Sequence, residues 1–274
     1  MLTDAHCHPA DLADFFPGHG CAAEDERRRL GVACASSATT LAEFDFCEKL
    51  SLEAKAARAA PVLPCFAVHP QMPLVGGGRS ERDFASDLAS LTALAAEGRL
   101  AAVGETGFDL FNAAFRETEK TQDFLFAAHL EVALRHGLPL VVHARRAMHK
   151  VFAHAPALRK CAAVIFHSWP GTMNEGEALL RRGINAFFSF GTVVALNHRD
   201  AMRCCTSFPA GRLLTETDAP YQPLRGAGFS GHGDLPRILE TIAALRCEAG
   251  CEGATAGELE GVIEGNFRAA FSVG

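Results

Sequence analysis

Eight apolar segments of strand length recur along the chain at intervals of roughly 20 to 40 residues. Each is almost continuously apolar, as a strand must be when helices bury both of its faces. Strands of this kind belong to parallel sheets, so the pattern predicts a parallel β/α fold. The segments lie at residues 2–8, 31–36, 62–70, 100–109, 138–145, 162–169, 185–192 and 212–221.

The stretches between these segments are typical of helices, because apolar residues recur three and four positions apart. Examples lie at residues 41–60, 118–137 and 176–183. Eight β/α units can close into a barrel, and 274 residues suit that size. We therefore predict an α/β protein: a single-domain (β/α)8 TIM barrel over residues 1–274, with eight parallel strands and outer helices. An open, doubly wound sheet is the alternative.

Composition narrows the classes of protein and partner. The chain is 49% hydrophobic and 21% charged, which is typical of a folded globular protein. A net charge of -6 disfavours non-specific coating of DNA, so a nucleic acid would have to be bound locally. We expect a cytoplasmic protein without a membrane partner, because there is no apolar run of about 18 residues and no signal-peptide pattern. No obligate protein partner is indicated.

The ten cysteines are scattered and form no CxxC pair. In a chain of this size we expect them to be mostly reduced and buried. Cys7 lies between two candidate metal ligands, but strand alternation directs it to the opposite face. We therefore expect Cys7 to fill the core.

The most informative polar motif is Asp-Ala-His-Cys-His at residues 4–8. His6 and His8 are two positions apart on a predicted strand, so both imidazoles project to one face and can share an ion. The motif alone would equally fit two hydrogen-bonded residues at a strand end.

Other predicted strands also end in ionisable residues. Such groups are rare in apolar segments unless they are paired or bound to metal. The carboxyl ends of barrel strands converge on one pocket, where active sites of this fold lie. We therefore predict six metal ligands: His6, His8, Glu105, His143, His167 and Asp218.

Six nitrogen and carboxylate ligands suit two divalent ions, such as zinc, magnesium or manganese, better than one. Glu105 lies among four histidines and can bridge two ions, and such a pair stabilises both the attacking and the leaving oxygen. A phosphoester is then a natural substrate. We expect Asp218 to orient the attacking water or to take its proton.

Four further polar residues are of interest, and three of them have two interpretations each. His69 ends the third predicted strand and would contact a phosphate or leaving group, or be satisfied by the backbone. Arg145 would hold a phosphate with its planar guanidinium, or support a ligand. Glu216 would orient a ligand or be a solvent-shielded group behind the ligands, and Asp109 would anchor a loop. The remaining seven histidines, which include His129 and His232, are assigned no role.

Taken together, these segments resemble the TatD family of metal-dependent deoxyribonucleases, within the amidohydrolase-like barrel superfamily. The likeness runs from residue 2 to residue 271. It rests on Asp-Ala-His-Cys-His-Pro at 4–9, Ala-Val-His-Pro at 67–70, Gly-Glu-Thr-Gly-Phe-Asp at 104–109, the strand at 138–145, the turn at 166–171, Glu-Thr-Asp-Ala-Pro-Tyr at 216–221 and Gly-Asn-Phe-Arg at 265–268.

The resemblance implies two or three divalent ions. His6, His8, Glu105 and Asp218 would surround one ion, and Glu105, His143 and His167 another. Glu105, Asp218 and His69 would be the catalytic residues, and His69 and Arg145 would contact the substrate. The implied reaction is hydrolysis of phosphodiester bonds in DNA or an oligonucleotide bound at the barrel mouth, exonucleolytic and directed at single strands.

Two features depart from the family pattern. Residues 225–236 replace an acidic, asparagine-containing loop, and Leu110 replaces an aromatic residue. Two other functions therefore stay open. One is a metal-dependent amidohydrolase or esterase acting on a small metabolite or an aminoacyl ester. The other is a non-catalytic binding protein that keeps metals for stability.

Overall fold

The computed structural model describes residues 1–15, 21–75 and 78–273. Every predicted segment contains or overlaps a strand. The segments at 162–169 and 212–221 each contribute only three residues to the sheet, because their polar ends turn into loops. The strands are β1 (Thr3–Cys7), β2 (Ala33–Ala38), β3 (Val62–Phe66), β4 (Ala102–Asp109), β5 (Leu140–Arg145), β6 (Val164–Phe166), β7 (Ala186–Phe190) and β8 (Leu213–Thr215).

All eight strands lie in one sheet in the order in which they occur along the chain, and every neighbouring pair is parallel. The first and last strands meet as well. Thr215 Oγ1 donates to the carbonyl of Thr3 at 2.7 Å, and the Asp218 amide donates to the carbonyl of His6 at 3.0 Å. The predicted barrel is confirmed, and the doubly wound alternative is wrong because its strand order would reverse.

The helices cover the outside of the sheet. Thr172 with Glu175 and Thr255 with Glu258 form capping boxes, which satisfy free amides at helix starts. Within the described residues, no helix has the length and apolar character needed to cross a bilayer. The helices are α1 (Pro9–Phe15), α2 (Cys21–Leu30), α3 (Leu41–Ala56), α4 (Ala85–Ala96), α5 (Ala113–Glu117), α6 (Glu119–His136), α7 (Met148–Ala153), α8 (Ala155–Leu158), α9 (Met173–Arg181), α10 (Arg199–Ser207), α11 (Leu235–Glu248) and α12 (Ala256–Phe271), with 3-10 turns at Glu81–Phe84, Ala210–Arg212 and His232–Asp234.

The core has two main layers. An interior cluster fills the barrel with residues from its strands, and Phe267 and Phe271 of α12 pack against it. A larger cluster lies between strands and helices and includes Phe66, Phe126 and Phe166. Because the interior is packed with apolar side chains, the ionisable residues of the strands are left at the carboxyl ends.

Candidate active site

The six predicted ligands converge at the carboxyl end of the barrel. They come from β1, β4 and β5 and from the residues that follow β1, β6 and β8. Every one except His143 is buried, and His143 is partly exposed. The group comprises His6, His8, Glu105, His143, His167 and Asp218.

One oxygen of Glu105 faces His6 of β1 and His8, which directly follows that strand. Glu105 Oε2 lies 3.2 Å from His6 Nε2 and 3.7 Å from His8 Nε2. The two imidazole nitrogens are themselves 3.1 Å apart. Asp218 Oδ1 completes this side, 3.6 Å from both nitrogens. Four potential ligand atoms therefore surround one position.

The second oxygen of Glu105 faces a different set of histidines. Glu105 Oε1 accepts a hydrogen bond from His143 Nδ1 at 2.7 Å and lies 3.3 Å from His69 Nε2. His167 Nε2 is 3.7 Å away, while the ring of His167 also packs on His6 with centroids 3.9 Å apart. Glu105 thus lies between two groups of nitrogen donors, one for each of its oxygens.

Two glycines allow Glu105 to occupy this position. At Gly104 a side chain would overlap Val141 of β5, and at Gly107 it would overlap the carbonyl of His143. Gly107 also has a φ of 133°, which L side chains rarely adopt. The pairing of β4 with β5 shifts register between Val103 and Thr106. Such irregularities redirect side chains next to active sites.

Polar neighbours hold the rings of the ligand histidines. Ser37 Oγ forms a hydrogen bond with His6 Nδ1 at 3.1 Å, and Glu216 Oε1 lies 3.1 Å from His167 Nδ1. Contacts of this kind orient metal-binding imidazoles. Glu216 therefore has the orienting position expected from the sequence.

Asp109 connects His143 to two loops. Its Oδ2 lies 3.2 Å from His143 Nε2 and accepts from the Gln71 side chain at 2.7 Å. Its Oδ1 accepts from the Phe111 amide at 3.0 Å. Asp109, which was expected to anchor a loop, therefore also contacts the ligand candidate His143.

The histidines around Glu105 and Asp218 stabilise the ionised form of both carboxylates. Burial would raise the pKa of Glu105, but the charges of His69, His6 and His167 outweigh burial and lower it well below its usual range. Burial likewise opposes ionisation of Asp218, and His167 with its neighbours lowers that pKa to about 2. Both carboxylates are ionised at neutral pH.

His143 and His167 hold protons at neutral pH because of the carboxylates around them. Burial would lower the pKa of His143, but the hydrogen bonds that its ring nitrogens donate to Asp109 and Glu105 raise it to about 9. Burial acts in the same way on His167, and the charges of Glu216 and nearby carboxylates raise its pKa to about 10. The site therefore requires positive charge, which protons or metal ions can supply.

The donors fit divalent ions. Three overlapping groups have ligand atoms within 4.8 Å of one another: His6 with His8 and Asp218, His6 with Glu105 and His167, and His69 with Glu105 and His143. Imidazole nitrogens and carboxylate oxygens are the donors that zinc and manganese accept, and none of these groups contains cysteine. His69 therefore lies among the potential ligands. Its Nε2 is 3.3 Å from Glu105 Oε1, and a residue that contacts only the substrate would not need to be so close to a ligand.

Arg145 lies outside this cluster. Its exposed guanidinium is stacked on the ring of Phe111, 3.6 Å from the centroid. Arg146 also lies over that ring at 4.6 Å, and its Nη1 donates to the Phe111 carbonyl at 3.0 Å. The side chains of His69 and His143 are each 15% exposed, whereas His6 is completely buried. The site therefore opens on the side of His69 and His143.

Sequence reasoning missed several buried polar residues beneath the site. Asp4 accepts from the amide and hydroxyl of Thr217 at 2.9 and 2.7 Å, and from His232 Nδ1 at 3.0 Å. His129 is buried and bonds to Thr106. Gln222 donates to Asp218 Oδ2 at 2.7 Å. Asp4 begins the Asp-Ala-His-Cys-His motif, but His129 and Gln222 carried no signal in the sequence.

Cys7 is buried in a separate apolar cluster with Leu12 and Cys34, as strand alternation predicts. It also lies with Asp4 and His232 in a group of potential ligand atoms. The carboxylate of Asp4 already accepts hydrogen bonds from Thr217 and His232. These bonds explain why the three side chains lie together without an ion.

Comparison with known proteins identifies the family. The family model of TatD-related DNases matches residues 3–272. The chain belongs to the TatD family. The TatD-family chain is therefore a metal-dependent hydrolase, as its sequence motifs indicated.

Individual relatives agree with this assignment. An uncharacterised metal-dependent hydrolase from Buchnera aphidicola is 34% identical over 52% of this chain, a match that spans about half of that protein. The 3'-5' ssDNA/RNA exonuclease TatD of Pantoea vagans is 32% identical, over 63% of this chain and 69% of its own length. The crystal structure of the TatD homologue YjjV from Escherichia coli superposes with a TM-score of 0.80 and 24% identity, covering 100% of this chain and 98% of that one. This last match supports the TIM-barrel fold.

Proposed function

We propose that this TatD-family hydrolase is a deoxyribonuclease that cleaves phosphodiester bonds of single-stranded DNA from an end. The observation that carries the proposal is the position of Glu105, whose two oxygens face separate groups of histidines. This arrangement suits two ions bridged by one carboxylate, the kind of centre used for phosphoryl transfer. The name of the Pantoea relative adds support for a nucleic-acid substrate.

We propose two divalent ions, chosen from zinc, magnesium and manganese. His6, His8, Glu105 and Asp218 would hold one, and Glu105, His143 and His167 the other. His69 faces the same oxygen of Glu105 as His143, so it would be a ligand of a third ion if one binds, or a contact for the phosphate. When bound, the ions would activate water and offset the negative charge of the phosphate.

The side chains have the following proposed roles. Asp218 orients the attacking water and takes its proton through Oδ2, because each carboxylate oxygen has two lone pairs and only one is used by Gln222. His69 and Arg145 hold the phosphate on the open side of the site. Glu216 and Asp109 keep His167 and His143 in place. Burial of the site excludes bulk water from competing contacts.

The first experiment combines metal analysis with a cleavage assay. Metal content is measured by elemental analysis, and 5'-labelled single-stranded DNA is incubated with wild type, Glu105→Ala and Glu177→Ala. Glu177 is an exposed residue of α9 and serves as the control. We expect stepwise shortening by wild type and the control, and loss of both metal and cleavage in Glu105→Ala, because the bridging carboxylate is removed.

Other outcomes would redirect the proposal. Bound metal with no DNA cleavage would contradict the nuclease function and favour the amidohydrolase or esterase, which hydrolysis of amide or aminoacyl-ester substrates would then test. A folded, metal-loaded protein that is inert toward all of them would be a binding protein.

We also propose a cytoplasmic location. The nine cysteines whose side chains the structure describes are all unpaired, and seven of them are buried. Unpaired thiols in this number are typical of proteins kept in a reducing compartment. Fractionation of cells followed by detection of the protein would test this location.

A further inference from the structure

The two oxygens of Asp218 have different surroundings. Oδ1 lies 3.6 Å from Nε2 of both His6 and His8. Oδ2 accepts a hydrogen bond from the side-chain amide of Gln222 at 2.7 Å. An ionised carboxylate only accepts hydrogen bonds, so the amide nitrogen of Gln222, and not its oxygen, must face Asp218. The orientation of this amide is therefore determined by its partner.

Gln222 is itself held by the loops that follow β6 and β7. Its Nε2 donates to Ser168 Oγ at 3.1 Å, and Ser168 Oγ lies 3.3 Å from its Oε1. Thr192 Oγ1 donates to the main-chain carbonyl of Gln222 at 2.6 Å. Both the side chain and the backbone of Gln222 are thus anchored to other loops, and the amide is fixed before any ligand arrives.

The backbone around this amide is strained. Ser168, Asp218 and Gln222 have φ values of 42°, 55° and 54°, in the left-handed region that non-glycine residues avoid. Such residues persist only where the surroundings enforce them, and they concentrate at functional sites. The Ser168 amide also donates to Glu216 Oε1 at 2.8 Å, and the same oxygen lies 3.1 Å from His167 Nδ1. A chain of contacts therefore runs from Asp218 through Gln222, Ser168 and Glu216 to His167, so it connects two of the proposed metal ligands.

We propose that Gln222 is a positioning residue that holds Oδ2 of Asp218, so that Oδ1 alone faces the ion shared with His6 and His8. The proposal rests on the metal site of the proposed function. Without the amide, the carboxylate is free to turn and its Oδ2 loses a hydrogen bond. Partners of metal-binding groups typically contribute about 10- to 100-fold to metal affinity or activity.

The test measures metal binding by the full-length protein. Gln222→Met keeps an unbranched side chain of similar length but removes the donor. Isothermal titration with Mn²⁺ and with Zn²⁺ would compare it with wild type. We expect affinity for one of two ions to fall about 10- to 100-fold, while affinity for the ion on the His143 side stays within about twofold. Where the protein cleaves DNA, kcat should fall and KM should stay unchanged.

Glu177→Ala, which removes an exposed carboxylate of α9 that pairs with Arg181, is the control. We expect it to bind both ions nearly as wild type does. If Gln222→Met does not fold, as judged by circular dichroism and urea unfolding, Gln222→Leu replaces it.

The outcomes separate this inference from the proposed function. Wild type that binds two ions but leaves DNA intact would contradict the nuclease proposal, while the affinity comparison would still decide the role of Gln222. Equal affinities in wild type and Gln222→Met would overturn the inference, whatever the substrate. Wild type that binds no ion would overturn both.

Discussion

Nδ1 of His143 lies 2.7 Å from Oε1 of Glu105, the shortest contact between any two of the six proposed metal ligands. In the metal-free protein this contact joins a protonated imidazole to a buried carboxylate, and a divalent ion would replace the proton. Occupation of the site by metal is therefore expected to affect the stability of the whole barrel.

Removal of metal should lower the melting temperature. A ligand at 100 times its Kd stabilises a protein by about 2.7 kcal/mol, which corresponds to a shift of roughly 5 to 10 °C for a chain of this size. Differential scanning calorimetry with chelator and with added Mn²⁺ or Zn²⁺ would measure the shift. Glu105→Gln should show no such shift, since it removes the charge that both ions need. A mutant that is stabilised by metal as much as wild type would contradict the bridging role.

Arg145 and Arg146 should each contribute to binding of single-stranded DNA. No ion pair or hydrogen bond of the Arg145 guanidinium occurs among the described residues, and its stacking on Phe111 leaves its donors available. Loss of one phosphate contact should make the slope of log K against log salt concentration less steep by about 0.7. Fluorescence anisotropy with metal-free protein at several salt concentrations would measure the slope for Arg145→Ala and Arg146→Ala. Arg181→Ala, on the exposed side of α9, is the control. Identical slopes in all variants would show that neither arginine contacts phosphate.

His129 should make the fold less stable in acid. Burial lowers its pKa to about 3, and its Nε2 accepts from the Val68 amide at 3.3 Å, so the folded state keeps it neutral. The unfolded chain takes up a proton below about pH 6.5. Stability from this residue is therefore complete above pH 6.5 and falls by about 1.4 kcal/mol per pH unit below it.

Urea unfolding of chelated protein at pH 7, 6 and 5 would measure this loss. His129→Asn keeps a donor and an acceptor but cannot titrate, so its stability should fall less steeply with acid than that of wild type. Equal slopes for the two proteins would rule out His129 as the source.

Gly107→Ala should destabilise the barrel and weaken the site together. The added methyl group would overlap the carbonyl of His143, and the φ of 133° is unfavourable for alanine. We expect a loss of about 2 to 4 kcal/mol in urea unfolding, with reduced metal content. Gly261→Ala, in open space on α12, is the control and should be neutral or stabilising by about 0.5 to 1 kcal/mol. A Gly107→Ala protein as stable as wild type would show that β4 and β5 separate more easily than the structure implies.

Much of the site could be predicted because parallel strands bury both faces. His143 and Asp218 stand out in nearly continuous apolar segments, and only a common pocket explains why such costly residues occur at several strand ends. The same reasoning could not decide whether His69 contacts the substrate or is only satisfied by the backbone. That depends on its 3.3 Å distance to Glu105, a residue 36 positions away in sequence.

The sequence by itself determined the alternation of strands and helices and the identities of the six ligand candidates. These follow from local periodicity and from the cost of burying charge. The tertiary structure alone decided which oxygen of Glu105 faces which histidine, that Gln222 holds Asp218, and that His129 is buried. Each of these depends on how loops and strands far apart in the chain meet when the barrel closes, and no local pattern encodes that geometry.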